Sequence, residues 1–144
     1  MNVAFFLKPK GTVTYLYDDC TFRQALEKMR VHGYTDIPVI DRDGKYRGSL
    51  SEGDILWYLV LDDGDISVVT MKKTSDLYVS DILNTKKNPA VRITCSIEEL
   101  IQRAMNQNYV PVVDDMNNFI GIVTRRDIIK HYAEEKDGAA VQEL

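Results

Sequence analysis

The chain has few of the residues that mark secreted, membrane or nucleic-acid-binding proteins. Two cysteines among 144 residues are too few for a disulfide framework. Acidic residues outnumber basic ones by 22 to 18, which gives a net charge of −4, whereas general nucleic-acid binders carry a basic face. No apolar run approaches the roughly 20 residues of a membrane-spanning helix. These absences predict a cytoplasmic protein without nucleic-acid or membrane partners.

Catalytic and metal-binding motifs are also missing. The two histidines, His32 and His131, have no ligand spacing around them. The sequence contains neither Gly-x-Ser-x-Gly, nor a Gly-rich phosphate loop with lysine, nor His-Glu-x-x-His. We therefore predict that the protein is not an enzyme and has no catalytic residues, no metal and no required cofactor.

One sequence pattern is present twice. GSLSEGDIL begins at Gly48 and GIVTRRDII begins at Gly121; both contain glycine, a hydroxyl residue three positions later, then an aspartate followed by aliphatic residues. The match extends upstream without a gap, so that IPVIDRDGKYR aligns with VPVVDDMNNFI. A repeat of this kind indicates two copies of one supersecondary unit.

Each copy predicts a β-hairpin that runs into a helix. PVID and PVVD are short strands rich in β-branched residues, and RDGK and DMNN are turn sequences. A helix is predicted before each hairpin, because TFRQALEKMRVHG and SIEELIQRAMNQN space apolar residues at helical intervals. Thr21 and Ser96 are the predicted N-caps, and Gly33 and Asn108 suit the left-handed position after a helix. Strands at TVTYLY and PAVRI complete a β-α-β-β-α unit.

The copies differ in the connection between helix and hairpin. We align Tyr34 with Tyr109, which leaves Thr35 and Asp36 without equivalents in the second copy. The predicted boundaries are residues 1–61 for the first repeat, 62–77 for a polar linker and 78–144 for the second repeat with a short tail. Within the linker, ISVVT (66–70) predicts one extra strand.

The doubled unit, with h-P-V-h-D and G-h-x-[ST]-x-x-D in each copy, resembles the cystathionine-β-synthase (CBS) domain, which usually forms tandem pairs. The resemblance runs from about Phe5 to Tyr132. It implies an α/β fold in which two repeats pack sheet to sheet about a pseudo-twofold axis, with clefts for an adenosine-containing ligand: AMP, ADP, ATP, S-adenosylmethionine or cyclic di-AMP. We expect a stand-alone regulatory module that acts on an unknown partner protein.

Two interpretations of the motif stay open. Ser51 and Thr124 are suited to cap the following helix, with Asp54 and Asp127 completing a capping box. The same helix start also presents free N–H groups and the positive end of the dipole to an anion. In the ligand interpretation the hydroxyl donates to a phosphate and the aspartate accepts both ribose hydroxyls.

Two arginines distinguish the second copy. Arg125 and Arg126 lie in the first turn of the helix, where the dipole disfavours cations by about 0.3–1 kcal/mol each. A bound phosphate would offset that cost, so we predict that the second copy takes the charged nucleotide; a solvated surface pair is the alternative. The first copy has Glu52 and Gly53 instead, which suits a neutral group, a weaker ligand or simple capping.

Hairpin pairing predicts which residues lie beside the motif. Residues 34–37 should lie near Ser51, and residues 108–110 near Thr124. In the family this segment helps to hold the base, and the tyrosine rings are suited either to stack on adenine or to pack in the core. The candidate ligand-binding residues are therefore Thr124, Arg125, Arg126, Asp127, Tyr109, Val110, Ser51, Asp54, Tyr34 and Ile37.

The helix after Asp54 begins ILWYLVL, which is apolar on every side. A helix of this kind must be covered all round, either by deeper packing under the linker or by another subunit. We predict a homodimer interface at Trp57, which the family resemblance also implies.

The predicted function is regulation by an adenine nucleotide, with AMP, ADP or ATP as ligand. The alternatives are an interaction module without a nucleotide, or a sensor of cyclic di-AMP or S-adenosylmethionine.

Overall fold

The computed structural model describes residues 1–63 and 71–143. Its elements, in chain order, are α1 (Val3–Phe6), β1 (Lys8–Pro9), β2 (Leu16–Tyr17), α2 (Phe22–His32), β3 (Asp36–Ile40), β4 (Tyr46–Ser51), α3 (Glu52–Asp63), α4 (Met71–Asp76), β5 (Val91–Arg92), α5 (Ile97–Asn106), β6 (Tyr109–Val113), β7 (Phe119–Thr124) and α6 (Arg125–Glu143). The order β-α-β-β-α therefore occurs twice, as predicted, from β2 to α3 and from β5 to α6. In the described ranges no helix combines the length and apolarity needed to cross a membrane.

The chain forms two compact units, and one of them combines residues from both ends of the sequence. The central unit contains Thr14–Pro89, and the terminal unit combines Met1–Val13 with Ala90–Leu144. The N-terminal residues join the second hairpin because β1 pairs antiparallel with β7, with Lys8 opposite Ile122. The repeat boundaries given above are limits along the sequence, and they remain a prediction.

Each unit is built on its own sheet. Among the described residues the central sheet has the order β2-β3-β4, and the terminal sheet has the order β1-β7-β6-β5. In both sheets the strand before the helix pairs parallel with the first hairpin strand, and the hairpin itself is antiparallel. The fold is therefore mixed α/β, as the sequence predicted.

The two hairpins have equivalent registers. Asp36 lies opposite Ser51 in the first hairpin, and Tyr109 lies opposite Thr124 in the second. Asp36 and Tyr109 are thus equivalent, and the alignment of Tyr34 with Tyr109 is wrong. From these pairs the register runs without a shift to Val39 opposite Gly48 and to Val112 opposite Gly121. The extra residues of the first copy therefore lie before β3, in the longer helix α2 and the longer turn after it.

The helix N-caps are those that the sequence predicted. The Thr21 side chain accepts a hydrogen bond of 3.1 Å from the Gln24 N–H, and the Gln24 side chain returns one to the Thr21 N–H. The Ser96 side chain accepts from the Glu99 N–H at 3.1 Å. These bonds satisfy N–H groups that a helix start leaves without intrahelical partners.

The helix C-termini differ between the copies. Gly33 has φ of 70°, the predicted left-handed cap of α2. The same prediction for Asn108 is wrong, because α5 ends at Asn106 and Gln107 is extended, with φ −134° and ψ 136°. Two residues connect α5 to β6, compared with three between α2 and β3, and the chain is already extended at the first of the two, so it leaves the helix without a left-handed turn.

The two hydrophobic cores are built from the predicted helix faces. In the central unit Phe22, Met29 and Ile37 are fully buried. In the terminal unit Leu100 and Val110 are fully buried, and the N-terminal helix α1 packs into the same core. Each buried side chain of this size contributes about 1.5–3 kcal/mol, so the N-terminal residues are an integral part of the terminal unit.

Helix α3 leaves apolar side chains uncovered. Ile55 and Leu59 are buried, whereas Leu56 is 43% and Trp57 is 61% exposed. The short helix α4 lies inside the segment predicted to be a linker, and the strand predicted at residues 66–70 lies outside the described residues.

Candidate functional site

The motif lies at two strand-to-helix junctions. We call the end of β4 and the start of α3 the first junction, and the end of β7 and the start of α6 the second junction. Each glycine of the motif has positive φ, 147° at Gly48 and 155° at Gly121. A Cβ on Gly48 would lie 2.8 Å from the Asn84 carbonyl oxygen, and a Cβ on Gly121 would overlap the Lys8 carbonyl. Glycine thus permits another segment of the same unit to pass against each junction.

At the first junction the motif forms a complete capping box. The Ser51 side chain accepts from the Asp54 N–H at 3.0 Å, and the Ser51 N–H donates to Asp54 Oδ2 at 2.8 Å. The Lys87 ammonium donates to the same Oδ2 at 3.0 Å. Burial raises the pKa of Asp54, but the Ser51 hydrogen bond and Lys87 outweigh it and hold the pKa below the ordinary value. The carboxylate is therefore ionised and paired at neutral pH.

The segment that carries Lys87 is fixed by hydrogen bonds. The Tyr46 hydroxyl donates to the Asn88 carbonyl at 2.7 Å. The Asn88 side-chain amide donates to Ser49 Oγ at 3.2 Å and to Asp36 Oδ2 at 3.3 Å. Asn88 itself has a left-handed backbone, with φ of 51°. These bonds hold the position of Lys87 beside the motif.

Asp36 is a polar residue of the first junction that the candidate set did not include. Its Oδ1 atom is buried and accepts no hydrogen bond from any described residue. Burial raises the pKa of Asp36, and the nearby Lys87 and Asn88 only partly oppose that effect. The first junction therefore holds two carboxylates in different states, one paired and one partly desolvated.

The carboxylate of the second junction is more loosely paired than that of the first. Thr124 Oγ1 accepts from the Asp127 N–H at 3.2 Å, so the capping interpretation holds here as well. The Asp127 carboxylate forms an ion pair with Lys8 at 3.4 Å, and both side chains are partly exposed. Lys8 belongs to the N-terminal segment and is not among the candidate residues predicted from the sequence.

The two arginines of the second junction have different surroundings. The Arg125 Nε donates to the Ala104 carbonyl at 2.6 Å and thereby caps the C-terminal end of α5. Its backbone N–H donates to the Asn108 carbonyl at 2.9 Å. Arg126 is exposed, and within the described residues its side chain makes no ion pair or hydrogen bond. Arg126 is thus the more available cation.

The residues predicted to contact a base are mostly core residues. Ile37 and Val110 are fully buried, and Tyr109 is 7% exposed. Tyr34 is 40% exposed, and its ring stacks on His32 with the centroids 6.2 Å apart. Of the two tyrosines only Tyr34 presents an accessible aromatic face.

A cavity of about 260 Å³ adjoins Asp127 in the terminal unit. Its aromatic wall is formed by Phe5 and His131, whose rings lie 5.0 Å apart. The other lining residues are Phe6, Lys130 and Glu134. The N-terminal residues Phe5 and Phe6 thus help to line this cavity. The sequence contains a signal for this role, because the apolar pair Phe6-Leu7 precedes the first copy as Ile82-Leu83 precedes the second.

The comparisons with known proteins identify the family. The family model for the CBS domain matches residues 9–61 and 79–134. The chain therefore belongs to the CBS domain family and contains two copies of the domain.

Solved structures share the fold of the whole chain. CbpB in complex with c-di-AMP aligns with a TM-score of 0.87 at 21% identity, over 99% of this chain and 91% of that one. Listeria monocytogenes CbpB in complex with c-di-AMP gives 0.82 at 24% identity, over 94% and 97%. CBSX2 in complex with AMP gives 0.73 at 24% identity, over 94% and 98%. At these identities the likeness shows the fold.

Two of the curated relatives come from Methanocaldococcus jannaschii. Its inosine-5'-monophosphate dehydrogenase is 30% identical over 124 residues, covering 84% of this chain and 22% of the dehydrogenase. An uncharacterised protein of the same organism is 26% identical over 140 residues, covering 80% of this chain and 83% of the relative. The chain spans only about a fifth of the dehydrogenase, so the enzymatic activity of that protein does not carry over.

Proposed function

We propose that this chain is a regulatory module that binds an adenine nucleotide, with the second junction as its principal site. The observation that carries the proposal is the loosely paired carboxylate of Asp127 at the start of a long helix, next in the chain to Arg126, an exposed cation that forms no ion pair with any described residue. A carboxylate that is only loosely paired accepts ribose hydroxyls, and a helix start with a nearby cation binds phosphate.

The proposed roles follow from the chemistry of each group. The Thr124 hydroxyl donates to a phosphate oxygen, and Arg126 supplies the positive charge. Arg125 contributes through its remaining guanidinium nitrogens, since its Nε caps α5. Tyr109 and Val110 are proposed to flank a base at the second junction, and Tyr34 and Ile37 a base at the first, the buried residues through their backbone groups. At the first junction Ser51 and Asp54 form a second, weaker site.

AMP, ADP or ATP is the proposed ligand, and cyclic di-AMP is a second candidate. The second candidate is supported by two structural neighbours whose structures contain c-di-AMP, while another contains AMP. Both ligands offer adenine, ribose and phosphate, but the 3'-oxygens of cyclic di-AMP are esterified, so it would donate to Asp127 through a single ribose hydroxyl, whereas AMP, ADP and ATP offer two.

The proposed output is a change in assembly or partner affinity. Helix α3 exposes Leu56 and Trp57 on a face that a second copy of the chain would cover. We propose a homodimer through this face, with an unidentified regulated protein as a further partner. Ligand binding would act by favouring one arrangement of the assembly over another.

A thermal-shift panel tests the proposal. AMP, ADP, ATP, cyclic di-AMP and S-adenosylmethionine are each added at a large excess to the same preparation. A ligand at 100 times its dissociation constant adds about 2.7 kcal/mol to the free energy of unfolding, which raises the melting temperature by roughly 5–11 °C for a chain of this size. We expect that shift with at least one adenine nucleotide and a smaller one in Asp127→Asn. If none of the five ligands shifts the transition, the proposed function is wrong.

A further inference from the structure

We propose that Lys87 closes the Asp54 carboxylate, in the sense that its ion pair with Asp54 blocks the binding of a ribose there. This ion pair, rather than the motif itself, makes the first junction the poorer site. The inference rests on the proposed function, because it concerns the same ligand class. It assigns a specificity role to a lysine that lies outside the motif.

Both lone pairs of Asp54 Oδ2 are occupied. That oxygen accepts two hydrogen bonds, one from the Ser51 N–H at 2.8 Å and one from the Lys87 ammonium at 3.0 Å. A carboxylate oxygen has two lone pairs, so Oδ2 has no further acceptor capacity. A ribose that donates both hydroxyls to one carboxylate needs a free lone pair on each of the two carboxylate oxygens. At Asp54 only Oδ1 is available.

The lysine is also held in place. Asn88, its neighbour in the chain, is bonded through its carbonyl to the Tyr46 hydroxyl and through its side chain to Ser49. Asn84 passes so close to Gly48 that no larger residue would fit there. A ligand must therefore displace the ammonium group without moving the backbone that carries it.

The second junction provides the internal comparison. The pair between Lys8 and Asp127 is longer, at 3.4 Å, and the Lys8 side chain is 51% exposed, compared with 29% for Lys87. A more exposed pair is more strongly screened and easier to exchange for a ligand. The two aspartate side chains are similarly exposed, 34% at Asp127 and 37% at Asp54, so the junctions differ in how tightly the lysine holds the carboxylate.

The experiment measures adenosine binding at the first junction alone. Asp127→Asn serves as the background, since it disables the carboxylate of the second junction. In this background Lys87→Met removes the ammonium group, and Lys86→Met makes the same charge change one residue away. Lys87→Gln is a second variant that keeps a polar side chain. Isothermal titration with adenosine follows each protein, and circular dichroism checks that each remains folded.

We expect Lys87→Met and Lys87→Gln to bind adenosine about threefold to fivefold more tightly than the background, the range for a partly exposed ion pair. Lys86→Met should not differ from the background, and adding Asp54→Asn to Lys87→Met should abolish the gain. If the wild-type chain binds AMP but neither Lys87 variant gains affinity, the closing role of Lys87 is wrong while the proposed function stands. If the wild-type chain binds no nucleotide and the Lys87 variants do, the closing role holds and the proposed function fails. Absence of binding in every protein overturns both.

Discussion

Replacement of Arg125 by methionine should destabilise the protein even without a ligand. The substitution removes the hydrogen bond of 2.6 Å from Arg125 Nε to the Ala104 carbonyl. Ala104 is buried, and α5 ends without a left-handed cap. The carbonyl therefore loses a donor that the backbone does not replace.

The magnitude follows from the charge and exposure of the pair. A hydrogen bond to a charged group contributes about 1.5–3 kcal/mol, and the partial exposure of Arg125 places the loss near the lower end. A loss of about 1.5 kcal/mol lowers the melting temperature of a chain of this size by roughly 3–6 °C.

Arg126→Met is the matched control, because it removes the same charge from the next residue. Its side chain is exposed, so its free energy of unfolding should stay within about 0.5 kcal/mol of the wild-type value. Urea unfolding followed by circular dichroism, with both variants measured beside the wild-type protein, gives the comparison. Equal midpoints for the two variants would refute the capping role of Arg125.

Three further predictions concern the rest of the fold. Gly121→Ala should unfold the terminal unit or lower its melting temperature sharply, because the new Cβ overlaps the Lys8 carbonyl; Gly11→Ala, where nothing lies within 4 Å of the added atom, should not. Equal melting temperatures would contradict this close approach. Trp57→Glu should convert a dimer into monomers in sedimentation experiments, and a wild-type protein that is already monomeric at micromolar concentration would exclude the interface. Burial raises the pKa of the Cys20 thiol to about 11, so iodoacetamide at pH 8 should alkylate it about 100-fold more slowly than an unhindered cysteine; similar rates would show that the thiol is not desolvated.

The repeat and the two hairpins could be predicted because their signals are local, although the alignment of the two copies at the start of the hairpins was wrong. Turn residues, strand alternation and helical spacing each act within a few positions, and the doubled motif fixed their order. The placement of the N-terminal residues could not be predicted in this way. It depends on the pairing of Lys8 with Ile122, which joins residues from opposite ends of the chain.

The motif residues of the candidate site were predicted from the sequence, but the residues that surround them were not. Ser51 and Thr124 cap their helices, as one of the two interpretations required. Lys87 was missed because it reaches Asp54 from a segment that lies far away in the sequence. The direction of the Arg125 side chain was missed because it depends on how α5 ends, and that end was itself predicted wrongly.

The central claim is that the second junction is the principal nucleotide site. Isothermal titration of AMP into the wild-type protein, Asp127→Asn and Asp54→Asn tests it most directly, since the two variants make the same change at equivalent positions of the motif. We predict that Asp127→Asn weakens binding by about tenfold or more, the equivalent of a lost hydrogen bond to a charged group, while Asp54→Asn changes the affinity by less than about threefold. An equal loss in both variants, or a larger loss in Asp54→Asn, would contradict the claim.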